Sequence, residues 1–186
     1  MAALLLRGVK MDEIKKRQVE MHTNFFDRCE SAIQNQFYLE AILLEYAAME
    51  SRLEAILGIL GAPCNKNLKP EQRAKINISQ RIECLKKARV NSHIFEKTKL
   101  PMDFFFKKSE LCKWINARNR YIHGLYKGEL EYSSRMAGAR DVAENGLKLC
   151  RMLYNEAKRL NRLRKSKPEL FAQLQLCDCI CVAYIK

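Results

Sequence analysis

The sequence predicts an all-α protein, a bundle of about five to six helices, on three observations. Glycine (7) and proline (4) are scarce among 186 residues, which disfavours the tight turns of a sandwich or barrel. Apolar residues recur at three- and four-residue steps over long stretches. They make up 48% of the chain against 30% charged, a balance that supports a packed core. The length suits one domain over 1–186, with 11–165 forming the bundle and 166–186 a C-terminal segment.

The elements follow in order. Residues 11–34 read as a charge-rich helix. From Phe37 to Leu60 the pattern is sharper, with Tyr38, Ile42, Met49, Leu53, Ile56 and Leu60 on one stripe and Ala41, Leu44 and Ala48 widening it. Gly61 and Pro63 end that helix, and a polar loop follows to Pro70. A third helix is expected over 71–90 and a loop over 91–101. The fourth helix is expected from Pro101 to about Leu125, with Leu111, Ile115, Ile122 and Leu125 as its seam, Trp114 and Tyr121 beside it, and Gly124 and Gly128 breaking it. The fifth, 133–165, turns Val142, Leu149, Leu153, Leu160 and Leu163 inward. After Pro168 the segment to Lys186 fits a short helix or an edge strand, with helix the preferred reading.

The net charge of +13 draws polyanions, nucleic acid first and anionic membrane second. No uncharged apolar stretch approaches the ~20 residues that cross a bilayer. The run Met1–Leu6 lacks a basic leader and stops at Arg7, so export is not expected and a cytoplasmic location is. On that reading the eight cysteines stay thiols, without a disulfide framework. The cluster Cys177-Asp-Cys179-Ile-Cys181 has no nearby second ligand group, so buried thiols are the first reading and metal or redox use the alternative. Neither a metal nor a cofactor is expected.

Two charged residues stand on apolar seams. The steps 111, 115, 118, 122 place Arg118 where an apolar residue belongs, and 38, 42, 45, 49 do the same for Glu45. An unpaired buried charge costs several kcal/mol, so Arg118 needs a partner or a cleft, and packing of the two helices would let Glu45 be that partner. Five residues after Arg118 comes His123, in Ala117-Arg118-Asn119-Arg120-Tyr121-Ile122-His123-Gly124. The same spacing at Arg17 and His22 lacks the asparagine and reads as a solvated face, while His93 reads as an exposed loop residue.

The segment 117–124 resembles the R-x4-6-H signature of the HEPN superfamily of all-helical ribonucleases and nucleotide-binding domains. In that signature a polar residue, here Asn119, commonly follows the arginine. The helix Tyr38–Leu53 looks like the long core helix that precedes the motif helix in this superfamily. The resemblance implies a HEPN-like bundle over 11–165, catalytic Arg118, Asn119 and His123, support from Glu45, Tyr121 and Tyr126, and a homodimer with a composite site. In the subgroup that works with a nucleotidyltransferase antitoxin, a tyrosine stands two positions after the histidine; here that position is Leu125, and Tyr126 follows it.

The chemistry suits RNA, which carries its own nucleophile in the 2′-hydroxyl. An imidazole with a reference pKa near ~6.5 can move the proton, and a guanidinium fork can hold phosphate oxygens as charge develops. One histidine cannot serve both proton transfers, and a two-fold dimer supplies the second. Positions 118 and 123 stand about 140° apart on a regular helix, so they do not share one face. For RNA binding, Lys148, Arg151, Lys158, Arg159 and Arg162 lie in a strongly basic stretch, with Arg120 and Lys127 near the motif. The expected activity is a metal-independent endoribonuclease acting on single-stranded RNA, as a toxin or defence effector. A non-catalytic module binding RNA, a nucleotide or a protein is the alternative, and an antitoxin or other protein is a further partner.

Overall fold

A computed structural model of the chain describes residues 24–60, 76–90, 110–127 and 132–172, and every regular element among them is a helix. Helix α1 (24–34) and helix α2 (Tyr38–Ile59) form a hairpin. The turn between them satisfies the end of α1: the Phe37 N–H donates to the Ala32 carbonyl at 2.7 Å and the Gln36 N–H to that of Ile33 at 3.1 Å. Gln36 takes the left-handed position of this C-terminal cap, φ 62°, where glycine is the usual occupant.

Helix α3 (Ile78–Val90) opens on a capping box. Asn77 Oδ1 accepts from the Gln80 N–H, and Gln80 Oε1 accepts from the Asn77 N–H, both at 2.9 Å. Residues 76 and 77 are not helical, so the helix begins later than the expected 71. Helix α4 (Glu110–Lys127) runs through Gly124, which was expected to break it. Gly124 is buried, and a glycine within a helix costs only about 1 kcal/mol against alanine, which packing can supply. Helix α5 (Tyr132–Ser166) is the longest element, and the short α6 (Pro168–Ala172) begins on its proline. The expected stretches 11–23, 71–75 and 101–109, the loops after α2 and α3, and the cluster at Cys177 lie outside the described residues.

The core is built on α2 and α5. Glu45 meets Gly146 and Cys150, and farther along Arg52 meets Tyr154, so the two helices run in the same direction. α4 runs against α5: the Trp114 Nε1–H donates to the Val142 carbonyl at 2.8 Å, while Tyr121, farther along α4, shares a depression with Met136, earlier on α5. Of the predicted stripe of α2, Tyr38, Ala41, Ile42, Met49, Leu53, Ile56 and Leu60 are buried and Leu44 and Ala48 partly so; Leu111, Trp114 and Ile115 of α4 and Val142, Leu149, Leu153 and Leu160 of α5 are buried, while the expected Ile122 and Leu163 are only partly buried. α3 is fastened to α2 by Arg81, 3% exposed, which faces Glu54 at 3.5 Å and Glu50 at 3.9 Å.

One cysteine departs from the expected thiols. Cys84 of α3 is disulfide-bonded, and its partner lies outside the described residues. A pairing between cysteines distant in sequence leaves no mark in their local spacing. Cys29, Cys112 and Cys150 are free thiols. No helix among the described residues is long and apolar enough to cross a membrane.

Candidate functional site

Arg118 occupies the core-facing side of α4, as its place on the seam predicts. Its guanidinium carbon lies 4.6 Å from the centroid of the Tyr46 ring on α2. Nη1 donates to Asn119 Oδ1 at 2.9 Å, and the buried Nε has no hydrogen-bond partner among the described residues. The side chain as a whole is half-buried, so the face of an aromatic ring replaces part of its hydration.

The expected pairing of Glu45 with Arg118 is not formed. The reason is angular: successive residues on α2 stand about 100° apart, so Tyr46 faces α4 while Glu45 faces α5. Glu45 is fully buried, and both carboxylate oxygens lack a hydrogen-bond partner among the described residues. Its carboxyl rests over Gly146, where an added Cβ would overlap Oε2 and stand 2.8 Å from Trp114 Nε1. Burial pushes its pKa up to about 9, so it is neutral at physiological pH. Two buried thiols adjoin it. Cys150 Sγ donates to the Glu45 carbonyl at 3.4 Å, and burial, with Glu45 the next contributor, pushes Cys29 up to about 12. Glu45 therefore specifies the α2–α5 contact and does not compensate Arg118.

His123 lies on the opposite, exposed side of α4. With Asn116, Asn119 and Arg120 it lines an open concavity. Asn119 is thus the link: its amide oxygen holds Arg118 while its side chain borders the space in front of His123. No hydrogen bond or ion pair joins Arg118 to His123 among the described residues, in keeping with their separation around the helix. Tyr121 is partly buried and borders a depression with Phe37, Leu39 and Leu43, which are 63%, 41% and 49% exposed. Tyr126 and Lys127 end α4.

Two of the expected RNA-binding cations are engaged within the fold. Arg151 pairs with Glu30, and half-buried Arg159 pairs with Glu156 through Nε at 2.9 Å and Nη2 at 2.5 Å. Lys148, Lys158 and Arg162 are exposed, stand in one row on α5, and make no ion pair among the described residues. On α4, Lys113, Asn116, Arg120 and His123 form a second exposed row, and Lys113 and Lys148 border one depression. Sequence reasoning missed Tyr46 and Asn116. Tyr46 was reachable, since it lies on the flank of the stripe beside Glu45 where an aromatic can face a seam arginine. Asn116 carried no signal beyond the three-residue step to Asn119.

His22 and His93 lie outside the described residues, and no group of three or more His, Cys, Asp or Glu comes together among those described. Comparison of the chain with family models, with curated proteins and with solved structures gives no match.

Proposed function

We propose that the chain is a metal-independent endoribonuclease of the HEPN type, cleaving single-stranded RNA. The observation that carries this reading is the α4 segment, where Asn119 holds Arg118 and shares an open concavity with His123. In the reaction the 2′-oxygen bonds to phosphorus and the bond to the 5′-oxygen breaks, leaving a 2′,3′-cyclic phosphate. One His123 takes the 2′-hydroxyl proton, a second protonates the leaving oxygen, and Arg118 holds the phosphate oxygens as charge grows on them.

The second imidazole comes from another copy of the chain. The exposed Phe37, Leu39 and Leu43, beside Tyr121 of the motif helix, supply an apolar surface on which a copy can dock. The cations on α4 and α5 supply the field that holds RNA, and the excess of positive charge suits a toxin or defence effector restrained by an acidic antitoxin.

A second reading is a non-catalytic module that binds RNA, a nucleotide or a protein. It is favoured by one observation: Arg118 faces Tyr46 and His123 faces solvent, so a single copy does not aim them at one phosphate. Incubation of single-stranded RNA with the protein in chelator separates the two. Cleavage that disappears in Arg118→Ala and in His123→Ala, with fold and dimer intact, supports the enzyme. RNA binding without cleavage supports the module, and cleavage that survives His123→Ala moves the chemistry elsewhere.

A further inference from the structure

Between α4 and α5, next to the concavity at His123, lies a depression of about 380 Å³. The two adjoin through α4, where Ala117 borders the depression and its chain neighbour Asn116 borders the concavity. The floor of the depression is apolar and fixed. Trp114 and Leu149 are buried there and Met152 is partly buried, with the indole ring held by its hydrogen bond to the Val142 carbonyl. The volume falls within the ~300–1,000 Å³ of small-molecule sites, which combine apolar walls with a few polar groups.

The rim is charged but balanced. α4 supplies Glu110 and Lys113, α5 supplies Asp141 and Lys148, all are exposed, and none forms an ion pair among the described residues. Because α4 and α5 are antiparallel, Asp141 stands toward the His123 end of the depression and Lys148 away from it. Carboxylates beside the lysines oppose a phosphate here, whereas in the concavity Arg120 stands with no acid in the lining. Phosphate therefore belongs in the concavity, and the depression suits an uncharged, flat group with strong donors and acceptors on its edges. A nucleotide carries both parts, a phosphate and a base, at this kind of separation.

Among the RNA bases, guanine matches this rim. Its N1–H and N2–H are adjacent donors that fit the two oxygens of one carboxylate, and its O6 and N7 are adjacent acceptors for lysine. Uracil sets a single N–H between two carbonyls, adenine has no carbonyl, and cytosine offers one amino donor. We propose that the depression is a guanine pocket, with the base over Met152 and Trp114, Asp141 accepting from N1–H and N2–H, Lys113 and Lys148 donating to O6 and N7, and the phosphate of the same nucleotide in front of His123. On the ribonuclease reading, on which this rests for its substrate, the pocket directs cleavage to the phosphate beside a guanosine.

Trp114 is the only tryptophan of the chain, so its fluorescence reports on the pocket without any need for cleavage. Titration of the full-length protein with GMP should give saturable binding at one site per chain, about tenfold tighter than AMP, CMP or UMP. IMP, which lacks the N2 amino group, should also bind about tenfold more weakly than GMP. Asp141→Asn, at an exposed position, should lower GMP affinity about tenfold and leave AMP unchanged. A short oligouridylate carrying one guanosine should bind about tenfold more tightly than GMP and than the all-uridine strand, which distinguishes a guanine within RNA from a free nucleotide. Cleavage sites mapped on single-stranded RNA in chelator should fall beside guanosines. Guanine-selective binding without any cleavage would sink the ribonuclease reading and leave the pocket standing. Equal binding of the four nucleotides, IMP as tight as GMP, full GMP affinity in Asp141→Asn, or cleavage without regard to guanosine would each overturn the pocket and leave the ribonuclease reading intact.

Discussion

The Arg118 guanidinium rests on the Tyr46 ring at 4.6 Å and is held from the side by Asn119 at 2.9 Å. A lysine at 118 would keep the charge but lose the planar fork and the stack. Arg118→Lys should therefore lower single-turnover RNA cleavage about 100-fold, in the range for loss of one transition-state donor. Tyr46→Phe keeps the ring face and should stay within about twofold, whereas Tyr46→Leu should lose about tenfold. Equal rates for Tyr46→Leu and the natural protein would show that the stack does not position Arg118.

Two glycines of α5 should respond in opposite directions to the same substitution. Gly138 is exposed with nothing within 4 Å of an added Cβ, so Gly138→Ala should stabilise by up to about 1 kcal/mol through helix propensity. At Gly146 the added methyl would overlap the Glu45 carboxyl, so Gly146→Ala should destabilise by about 1–3 kcal/mol despite that propensity. Urea unfolding of both variants checks the signs. Adding Glu45→Ala to Gly146→Ala should recover part of the loss.

Glu45 sets a pH dependence. Burial raises its pKa in the fold to about 9 from 4.5, so between those values the folded chain holds a proton that the unfolded chain releases. Stability is therefore undiminished below the unfolded value and falls as pH rises from about 4.5 toward 9. Glu45→Gln is neutral throughout and should be the more stable form at pH 7, by about 3 kcal/mol, with little difference near pH 4. Melting curves across this range test it, and parallel curves for the two proteins would exclude the assignment.

Among the cations of α5, those already paired should matter less for RNA. Replacing both Lys158 and Arg162 with glutamine should reduce the slope of log affinity against log salt by about 1.4, at roughly 0.7 per phosphate contact on a single strand. Arg159→Gln should change the slope less, because Arg159 is already bound to Glu156. Fluorescence anisotropy with labelled RNA over a salt series measures both.

Helix periodicity made the bundle legible because the long helices have buried stripes, and the central residues of the α2 stripe, from Tyr38 through Ile42, Met49, Leu53 and Ile56 to Leu60, are all buried. The same periodicity located Arg118 and Glu45 as charges facing the interior. It could not show which neighbour each would meet, because that depends on how α2 is rotated between α4 and α5. One residue of rotation decides whether Glu45 or Tyr46 confronts Arg118. The start of α3 was missed for a different reason: its signal is a local Asn77–Gln80 exchange, which a search for apolar repeats does not detect. Gly146 carried no sequence signal, since its role is the space it leaves for Glu45.

The shared direction of α2 and α5 bears on how the molecule assembles. The two central helices make contacts such as that between Glu45 and Cys150, 105 positions apart along the chain, while α1 and α2 meet across a tight turn. Loop closure over such a separation is entropically demanding, and folding rates fall as contacts become more distant in sequence. The hairpin should form early and the central pair late, giving this bundle slower refolding than an up-and-down bundle of similar size.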